Sequence, residues 1–234
     1  MKLRFPTANT PSHRQRGFTL PELFVAVSVM LILFSVFVLP AMLKSRMTSS
    51  RRIKCMSNLK QVALSFKMFA GDNNGEFPFA VPGSPAYTND TQAWLHFLSM
   101  SNELGSTRIL LCPSDDGSKS KIVANIFGPT STNENLLGLS TLKNSAVSYF
   151  VGLDARENRP AYWLTGDGGV GDTGYKHKGL LLFANENSNL QWPASVHEGN
   201  PNVAMADGSV QIGKKNKSLA PWPVKTSNRL LLPE

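Results

Sequence analysis

The 234-residue chain contains two cysteines, Cys55 and Cys112. Two cysteines can form a disulfide if the domain that carries them reaches an oxidising compartment. Cys55 also falls on an apolar helical stripe, where a reduced and buried cysteine is an ordinary core residue. A disulfide and a pair of core thiols therefore both remain open, whereas a metal site built from these two cysteines alone is not expected.

His197 and Asp207 are candidates for an acid/base or metal-binding pair, and His177 lies upstream of them. A zinc hydrolase needs two or three ligands at fixed spacing and a carboxylate that activates water. The sequence contains no His-x3-His or equivalent spacing. We therefore predict that no residue is catalytic, that Asp207-Gly208 forms a turn, and that His197 caps the loop before it.

A glycine-rich segment from Gly166 to Gly174 contains two spaced carboxylates, Asp167 and Asp172. Together with backbone carbonyls, these carboxylates could bind calcium. A plain glycine-rich turn is the simpler interpretation, so calcium remains an alternative and no other cofactor is predicted. Walker A, Rossmann and nucleophile-elbow motifs are absent from the sequence.

An uncharged and mostly apolar run extends from Leu23 to Leu43, a length of 21 residues. About 20 such residues span a bilayer as a helix, and the apolar region of a cleaved secretory signal is shorter, at roughly 7–15 residues. We therefore predict a membrane-spanning helix. Basic residues lie on both sides of the run, so charge does not fix its orientation.

The net charge of +8 is distributed unevenly. Residues 1–71 contain 11 of the 24 Lys and Arg residues and a single acid, Glu22, whereas residues 72–234 contain 13 basic and 15 acidic residues. The larger part therefore lacks the basic surface typical of nucleic-acid binding, and no nucleic-acid partner is expected. The basic cluster from Lys44 to Lys54 could contact lipid phosphates or acidic groups of other chains, and DNA is the weaker third alternative because these cations lie on the packed helix.

A second helical pattern follows the apolar run. Apolar residues recur at spacings of four, three, four and three, at Cys55, Leu59, Val62, Phe66 and Phe69. This spacing is typical of an amphipathic helix that buries one stripe. We predict one helix from about Leu20 to Ala70, ended by the Gly and Asn residues at 71–75.

The remainder of the chain alternates short apolar runs with turn residues. Strands are predicted at Arg108–Leu111, Lys121–Phe127, Val147–Gly152, Ala161–Leu164, Leu180–Ala184, Asn202–Ala206 and Ser209–Ile212. A short helix is predicted from Thr91 to Met100, and Asp207-Gly208 is expected to form a two-residue hairpin turn with positive φ at both residues. The fold class is therefore predicted as α+β, with a long N-terminal helix packed on a small antiparallel sheet.

The segment from Gly17 to Glu22, GFTLPE, follows a short basic leader of charge +4. It resembles the type III signal of type IV pilins and type II secretion pseudopilins. The resemblance implies that a prepilin peptidase cuts between Gly17 and Phe18 on the cytoplasmic side and that Phe18 is then N-methylated. It also implies a pilin-like fold, a cytoplasmic N-terminus and a periplasmic head.

Further segments resemble a subgroup of pseudopilin-like proteins abundant in planctomycete and verrucomicrobial bacteria. These segments are the stretch CMSNLKQVALSFKMFAGDNNGEFP at 55–78, the Cys-Pro-x-Asp motif at 112–115, and the His-x9-Asp-Gly motif of His197, Asp207 and Gly208. The implied organisation is a cleaved leader at 1–17, a transmembrane assembly segment at 18–43, an amphipathic stalk at 44–70 and a head at 71–234. The resemblance leaves residues 79–105 and 120–145 uncovered.

Glu22 is the residue to which the resemblance gives an assembly role. A carboxylate at the edge of hydrocarbon is costly unless it lies near the interface or meets a cation. The resemblance implies that Glu22 pairs with the α-amino group of a neighbouring subunit, and a plain acid in the first turn of a helix is the simpler alternative.

The expected function is therefore that of a structural subunit of a pseudopilus or pilus-like filament. Its expected partners are the prepilin peptidase, other pilin or pseudopilin subunits and the inner membrane, and its expected location is the inner membrane followed by a periplasmic or surface filament. A membrane-anchored binding protein or adhesin is the first alternative, suggested by Trp94, Trp163 and Trp192. A metal-dependent hydrolase is the second.

Overall fold

A computed structural model describes residues 17, 19–89, 91–115, 122–131, 136–172, 175–176, 181–184, 190–213 and 228–233. For residues 39–48, 171–172, 175–176, 181–184 and 228, only the backbone is described. The chain divides into two compact units, Met1–Arg46 and Met47–Glu234. Helices and antiparallel strands occur together, which confirms the predicted α+β class.

The first helix, α1, extends from Leu20 to Asp72 and contains 53 residues. At its N-terminus, the backbone N–H and the hydroxyl of Thr19 donate hydrogen bonds to Glu22 Oε2 at 2.9 and 2.8 Å. An acid that reaches back to the residue preceding the helix is half of a capping box. The local order Thr-x-x-Glu therefore stabilises the start of α1 at the predicted position.

Side chains in the N-terminal part of α1 are exposed from Leu20 to Phe37. The 19 residues Leu20–Val38 are long and apolar enough to cross a membrane, and 0% of this window is buried. Length and composition alone do not separate a membrane anchor from a signal sequence. This coarse property agrees with the predicted membrane segment.

The C-terminal part of α1 buries the predicted stripe. Cys55, Leu59, Val62 and Phe66 are each 0% exposed, and Phe69 is 8% exposed. The helix ends in a left-handed turn, where Asn74 has a φ of +57° and the Gly75 N–H donates to the Ala70 carbonyl at 2.8 Å. Glycine and asparagine accept this conformation at low cost, which explains the stop at this position.

The described residues of the second unit add three short helices, namely α2 at Ala93–Ser99, α3 at Ser101–Leu104 and α4 at Leu139–Leu142. Its described strands are β1 Tyr149–Gly152, β2 Trp163–Asp167, β3 Gly171–Asp172, β4 Tyr175–Lys176, β5 Leu181–Ala184, β6 Leu190–Gln191, β7 Asn202–Met205, β8 Val210–Ile212 and β9 Asn228–Leu231. Six strands form an antiparallel sheet in the order β5-β9-β1-β2-β7-β8, and β4-β3-β6 form a smaller sheet.

The larger sheet is buried on both faces at its centre. Tyr149 and Val151 of β1 contact the apolar cluster that contains the α1 stripe, whereas Phe150 between them belongs to a second cluster with Trp163. Successive side chains of a strand point to opposite faces, so the two clusters cover opposite sides of the sheet. Residues in β1, β2 and β7 are accordingly buried without alternation.

Some predicted elements are correct and others are wrong. The predicted helix from Thr91 to Met100 is confirmed as α2. The segment Arg108–Leu111 is not a strand, because Thr107–Leu110 forms a 3-10 helix. The Arg108 N–H donates to the side chain of Ser106 at 3.3 Å. This N-cap favours the 3-10 helix over the strand that the apolar run predicted. In the predicted Lys121–Phe127 strand, the described residues 122–127 form one isolated bridge, at Ile126.

The predicted hairpin exists as β7 and β8, but its turn differs from the prediction. Gly208 has a φ of +86°, and Asp207 is not in the left-handed region. The Gly208 N–H donates to the Met205 carbonyl at 2.9 Å, and the Met205 N–H donates to the Ser209 carbonyl at 2.8 Å. Residues 206–208 therefore form a three-residue loop in which glycine alone needs positive φ.

Candidate functional site

A disulfide joins Cys55 of α1 to Cys112, which lies two residues after the 3-10 helix at Thr107–Leu110. The sequence left this bridge open, and the structure forms it across a separation of 57 residues. Both cysteines are buried, with exposures of 0% and 6%. The bridge therefore lies in the interior of the second unit, where it ties α1 to a segment outside the sheet.

The imidazole of His197 lies directly beside the disulfide. Its Nε2 atom is 3.4 Å from Cys112 Sγ and 3.3 Å from Asp167 Oδ2, and its side chain is 1% exposed. The local backbone is unusual, because His197 and Glu198 have φ values of +49° and +61°. Non-glycine residues adopt this left-handed region at a cost, so the surrounding contacts must hold the histidine in this position.

Asp167 is the last residue of β2, and its side chain is 2% exposed. The backbone N–H and side-chain amide of Asn202, the first residue of β7, donate to Asp167 Oδ2 at 2.7 and 2.9 Å. Asp167 Oδ1 has no hydrogen-bond partner among the described residues. Burial raises the pKa of Asp167 to about 7, and the hydrogen bonds from Asn202 oppose that shift.

Burial has the opposite effect on the histidine. It lowers the pKa of His197 to about 4, and the positive charge of Arg52 adds to this effect. Arg52 lies on α1 and donates through Nη2 to the Asn200 carbonyl at 2.9 Å. Because burial favours the uncharged form of both groups, the contact between His197 and Asp167 is better described as a buried polar contact than as an ion pair.

The two parts of the His-x9-Asp-Gly motif have different roles. His197 is buried beside the disulfide, whereas Asp207 is exposed in the hairpin and accepts a hydrogen bond from the Ser209 N–H at 2.7 Å. The prediction of a structural turn at Asp207-Gly208 agrees with this geometry. The sequence predicts that His197 caps the loop before the hairpin. The His197 carbonyl accepts hydrogen bonds from the backbone N–H and side-chain amide of Asn200 in this loop at 3.1 and 3.3 Å, whereas its ring contacts Cys112 and Asp167.

The predicted calcium loop is only partly a loop. Gly166 and Asp167 belong to β2, and Gly171 and Asp172 form β3. The Asp167 carboxylate is directed to Asn202 and His197 in the interior, and the side chain of Asp172 lies outside the described residues. His177 and Phe18 also lie outside them, whereas Gly17 and Glu22 are exposed in the first unit.

The tryptophans that suggested the adhesin alternative are largely buried, and the basic cluster is partly directed inward. Trp94 and Trp163 are 8% and 2% exposed, and Trp192 packs on Trp163 with a ring separation of 6.2 Å. The exposed-looking tryptophans are therefore largely core residues. In the basic cluster, Arg52 is directed to Asn200, whereas Arg51 and Lys54 are exposed.

Sequence reasoning did not single out Asn202 or Arg52 as site residues. Asn202 was seen only as the start of a strand, and Arg52 only as a member of a basic cluster. Asp115 of the Cys-Pro-x-Asp motif also acts here, since its charge contributes to the raised pKa values of Asp167 and Tyr149. The Cys-Pro-x-Asp motif at 112–115 is the sequence signal that links Asp115 to Cys112.

The assembled site comprises the Cys55–Cys112 disulfide, His197, Asp167, Asn202 and Arg52. A catalytic acid or base must contact its substrate, and the buried side chains of His197 and Asp167 do not reach the surface. The described residues therefore form a buried polar cluster around the disulfide. Comparison with known proteins found no matching family model, no similar curated protein and no matching solved structure.

Proposed function

We propose that this chain is a structural subunit of a type II secretion pseudopilus or a type IV pilus-like filament. The observation that carries the proposal is the N-terminal part of α1, where one carboxylate, Glu22, precedes a continuous exposed apolar surface. A surface of this length requires lipid or other apolar helices around it. The GFTLPE signal adds the resemblance to prepilins.

The geometry at the start of α1 is compatible with a role for Glu22 between subunits. Thr19 contributes both hydrogen bonds that the structure gives to Glu22 Oε2. An ionised carboxylate has about four acceptor positions, so contacts with Thr19 leave capacity for a cation. In the proposed filament, that cation is the α-amino group of Phe18 on a neighbouring subunit after the leader has been removed.

The test compares two substitutions at the same helix start. Glu22→Gln removes the charge, and Thr19→Val removes the hydroxyl that donates to Glu22 while leaving the carboxylate in place. We expect Glu22→Gln to insert into the membrane and be processed, yet to fall at least about tenfold in sheared filament fractions, because charge pairing is lost. Thr19→Val is expected to assemble close to normally.

Equal filament defects in both variants would show that Glu22 only caps the helix. Normal incorporation of Glu22→Gln would remove the proposed assembly role altogether. Filament content is measured by immunoblot of sheared material against the membrane fraction. The same blots report insertion and abundance, which separates an assembly defect from loss of the protein.

Processing is tested independently by mass spectrometry of the protein isolated from membranes. We expect the mature chain to begin at a methylated Phe18, and Gly17→Val to retain the leader because the peptidase signal is changed. A native chain that still begins at Met1 would contradict the proposal. This measurement does not depend on whether filaments form under the conditions of growth.

The competing classes receive less support from the site. A hydrolase requires catalytic groups that contact substrate, and His197 and Asp167 are buried. An adhesin based on tryptophans requires exposed rings, and Trp94 and Trp163 are buried. A hydrolase screen on the purified chain discriminates the first class, since filament subunits need no turnover.

A further inference from the structure

Three potential metal ligands converge at the disulfide, and a carboxylate lies beside one of them. The Sγ atoms of Cys55 and Cys112 and the Nε2 atom of His197 all lie within 4.8 Å of one another. Asp167 Oδ2 lies 3.3 Å from the same Nε2 atom. The residues come from α1, from the segment after the 3-10 helix at Thr107–Leu110, from a 3-10 turn at His197–Gly199 and from β2. The tertiary fold, and not a local motif, therefore assembles the group.

Two distances from the His197 Nε2 atom match those between ligands of a tetrahedral metal. With zinc bonds of about 2.3 Å to sulfur and about 2.0–2.2 Å to nitrogen and oxygen, tetrahedral geometry separates nitrogen from sulfur by about 3.5 Å and nitrogen from oxygen by about 3.4 Å. The corresponding distances here are 3.4 Å from His197 to Cys112 and 3.3 Å from His197 to Asp167. The two sulfur atoms are closer together than two ligands of one metal would be, because they are bonded to each other.

Unsatisfied acceptors also lie on the two residues that border this group. Oδ1 of Asp167 and Oδ1 of Asn202 are buried without a hydrogen-bond partner in the described part of the chain. Such orphaned acceptors are costly in a low-dielectric interior. Asn202 also donates two hydrogen bonds to Asp167 Oδ2, which is the type of outer contact that orients a carboxylate ligand.

We propose that the reduced form of this chain binds one zinc ion through Cys55, Cys112 and His197, and that the Asp167 carboxylate beside His197 completes the site as the fourth ligand. The disulfide and the zinc complex are then alternative states of one site. Reduction by a dithiol or phosphine supplies two electrons, and two protons complete the two thiols as the S–S bond breaks. Zinc then displaces both thiol protons and binds two thiolates.

The surrounding charge is compatible with this complex. Two thiolates and one carboxylate carry three negative charges against the two positive charges of zinc. The residual negative charge lies near Arg52, whose positive charge acts on both His197 and Asp167. Thiolate and imidazole ligands favour zinc over hard cations such as calcium or magnesium. The proposal does not depend on the filament function.

The experiment uses the full chain in detergent, purified with a tag that contains no histidine. The protein is divided into oxidised and phosphine-reduced samples, incubated anaerobically with zinc alone, desalted and assayed for metal. We expect about one equivalent of zinc in the reduced sample and little in the oxidised one. In parallel, cobalt is expected to give thiolate-to-metal charge-transfer bands only in the reduced sample.

Two variants separate this site from adventitious binding. His197→Ala is expected to weaken zinc binding by about tenfold or more, whereas His96→Ala, at a buried histidine elsewhere in the unit, leaves it unchanged. Circular dichroism reports whether the reduced samples remain folded. Reduced protein that stays folded without binding zinc would overturn the proposal. Equal binding by the oxidised protein or by His197→Ala, or unfolding on reduction that zinc does not reverse, would overturn it too.

Discussion

The two parts of α1 use apolar residues in opposite ways. From Leu20 to Phe37 the side chains are exposed on every side of the helix, whereas Cys55, Leu59 and Phe66 form one buried stripe. Apolar area stabilises a fold only when it leaves water. The second part therefore stabilises the unit that contains it, whereas the described side chains from Leu20 to Phe37 bury no comparable apolar area.

The largest expected effect is the difference in stability between substitutions at Phe66 and at Phe34. Phe66 is 0% exposed, and its ring makes edge contacts with Phe77 and Phe97 at centroid distances of 5.8 and 6.1 Å. We expect Phe66→Ala to lower the free energy of unfolding by about 3–5 kcal/mol. Phe34 is 64% exposed, so Phe34→Ala is expected to change it by less than about 0.5 kcal/mol.

Denaturant titrations of both variants in detergent, followed by tryptophan fluorescence, measure this difference. The tryptophans at 94, 163 and 192 report on the second unit. Similar losses for the two substitutions would break the comparison, because they would mean that the first part of α1 also stabilises that unit.

The disulfide should have the next largest effect. Replacing both Cys55 and Cys112 by alanine opens a loop with a separation of 57 residues, for which chain entropy predicts a loss of about 4 kcal/mol, with about 2–4 kcal/mol typical in practice. We expect the free energy of unfolding, measured in the absence of zinc, to fall by this amount. If the double variant is as stable as the oxidised parent, the disulfide does not stabilise the second unit.

The free energy of unfolding is also expected to depend on pH, because the buried side chain of His96 titrates differently in the folded and unfolded chain. Burial lowers the pKa of His96 to about 4 from 6.5, while its Nε2 lies 3.1 Å from the Asn89 carbonyl. As the pH falls below 6.5, the unfolded chain binds a proton that the folded chain accepts only near pH 4. Stability therefore falls through this window, by an amount on the order of 3 kcal/mol.

His96→Leu removes this titration while retaining an apolar side chain. Unfolding curves between pH 7 and pH 4 should therefore be flatter for the variant than for the parent. The common contributions of other groups cancel in the difference between the two proteins. An unchanged pH dependence would mean that His96 already meets water in the folded state.

The smallest effect concerns the end of α1. Asn74 occupies a left-handed position with a φ of +57°, which alanine tolerates less well than asparagine or glycine. We expect Asn74→Ala to lower the free energy of unfolding by about 1 kcal/mol and Asn74→Gly to leave it nearly unchanged. Thermal unfolding of the two variants provides the measurement, and equal midpoints would argue against a conformational origin.

Much of α1 could be predicted because its signals are local. The stripe through Phe66 and the stop near Gly75 each depend on residues within a few helical turns. The 3-10 helix at 107–110 was mistaken for a strand because a short apolar run has no decisive period. The turn at Gly208 was predicted by position but not by type, because its loop length depends on how β7 and β8 pair.

The sequence by itself determined the long helix, its two different apolar patterns and the presence of a hairpin near Gly208. Only the tertiary structure decided that Cys55 and Cys112 meet, that His197 lies against them and that Asp167 contacts His197. The physical reason is the distance along the chain. Periodicity and capping act between neighbouring residues, whereas the site joins side chains that are far apart in the sequence, such as Cys55 and Cys112 with a separation of 57 residues.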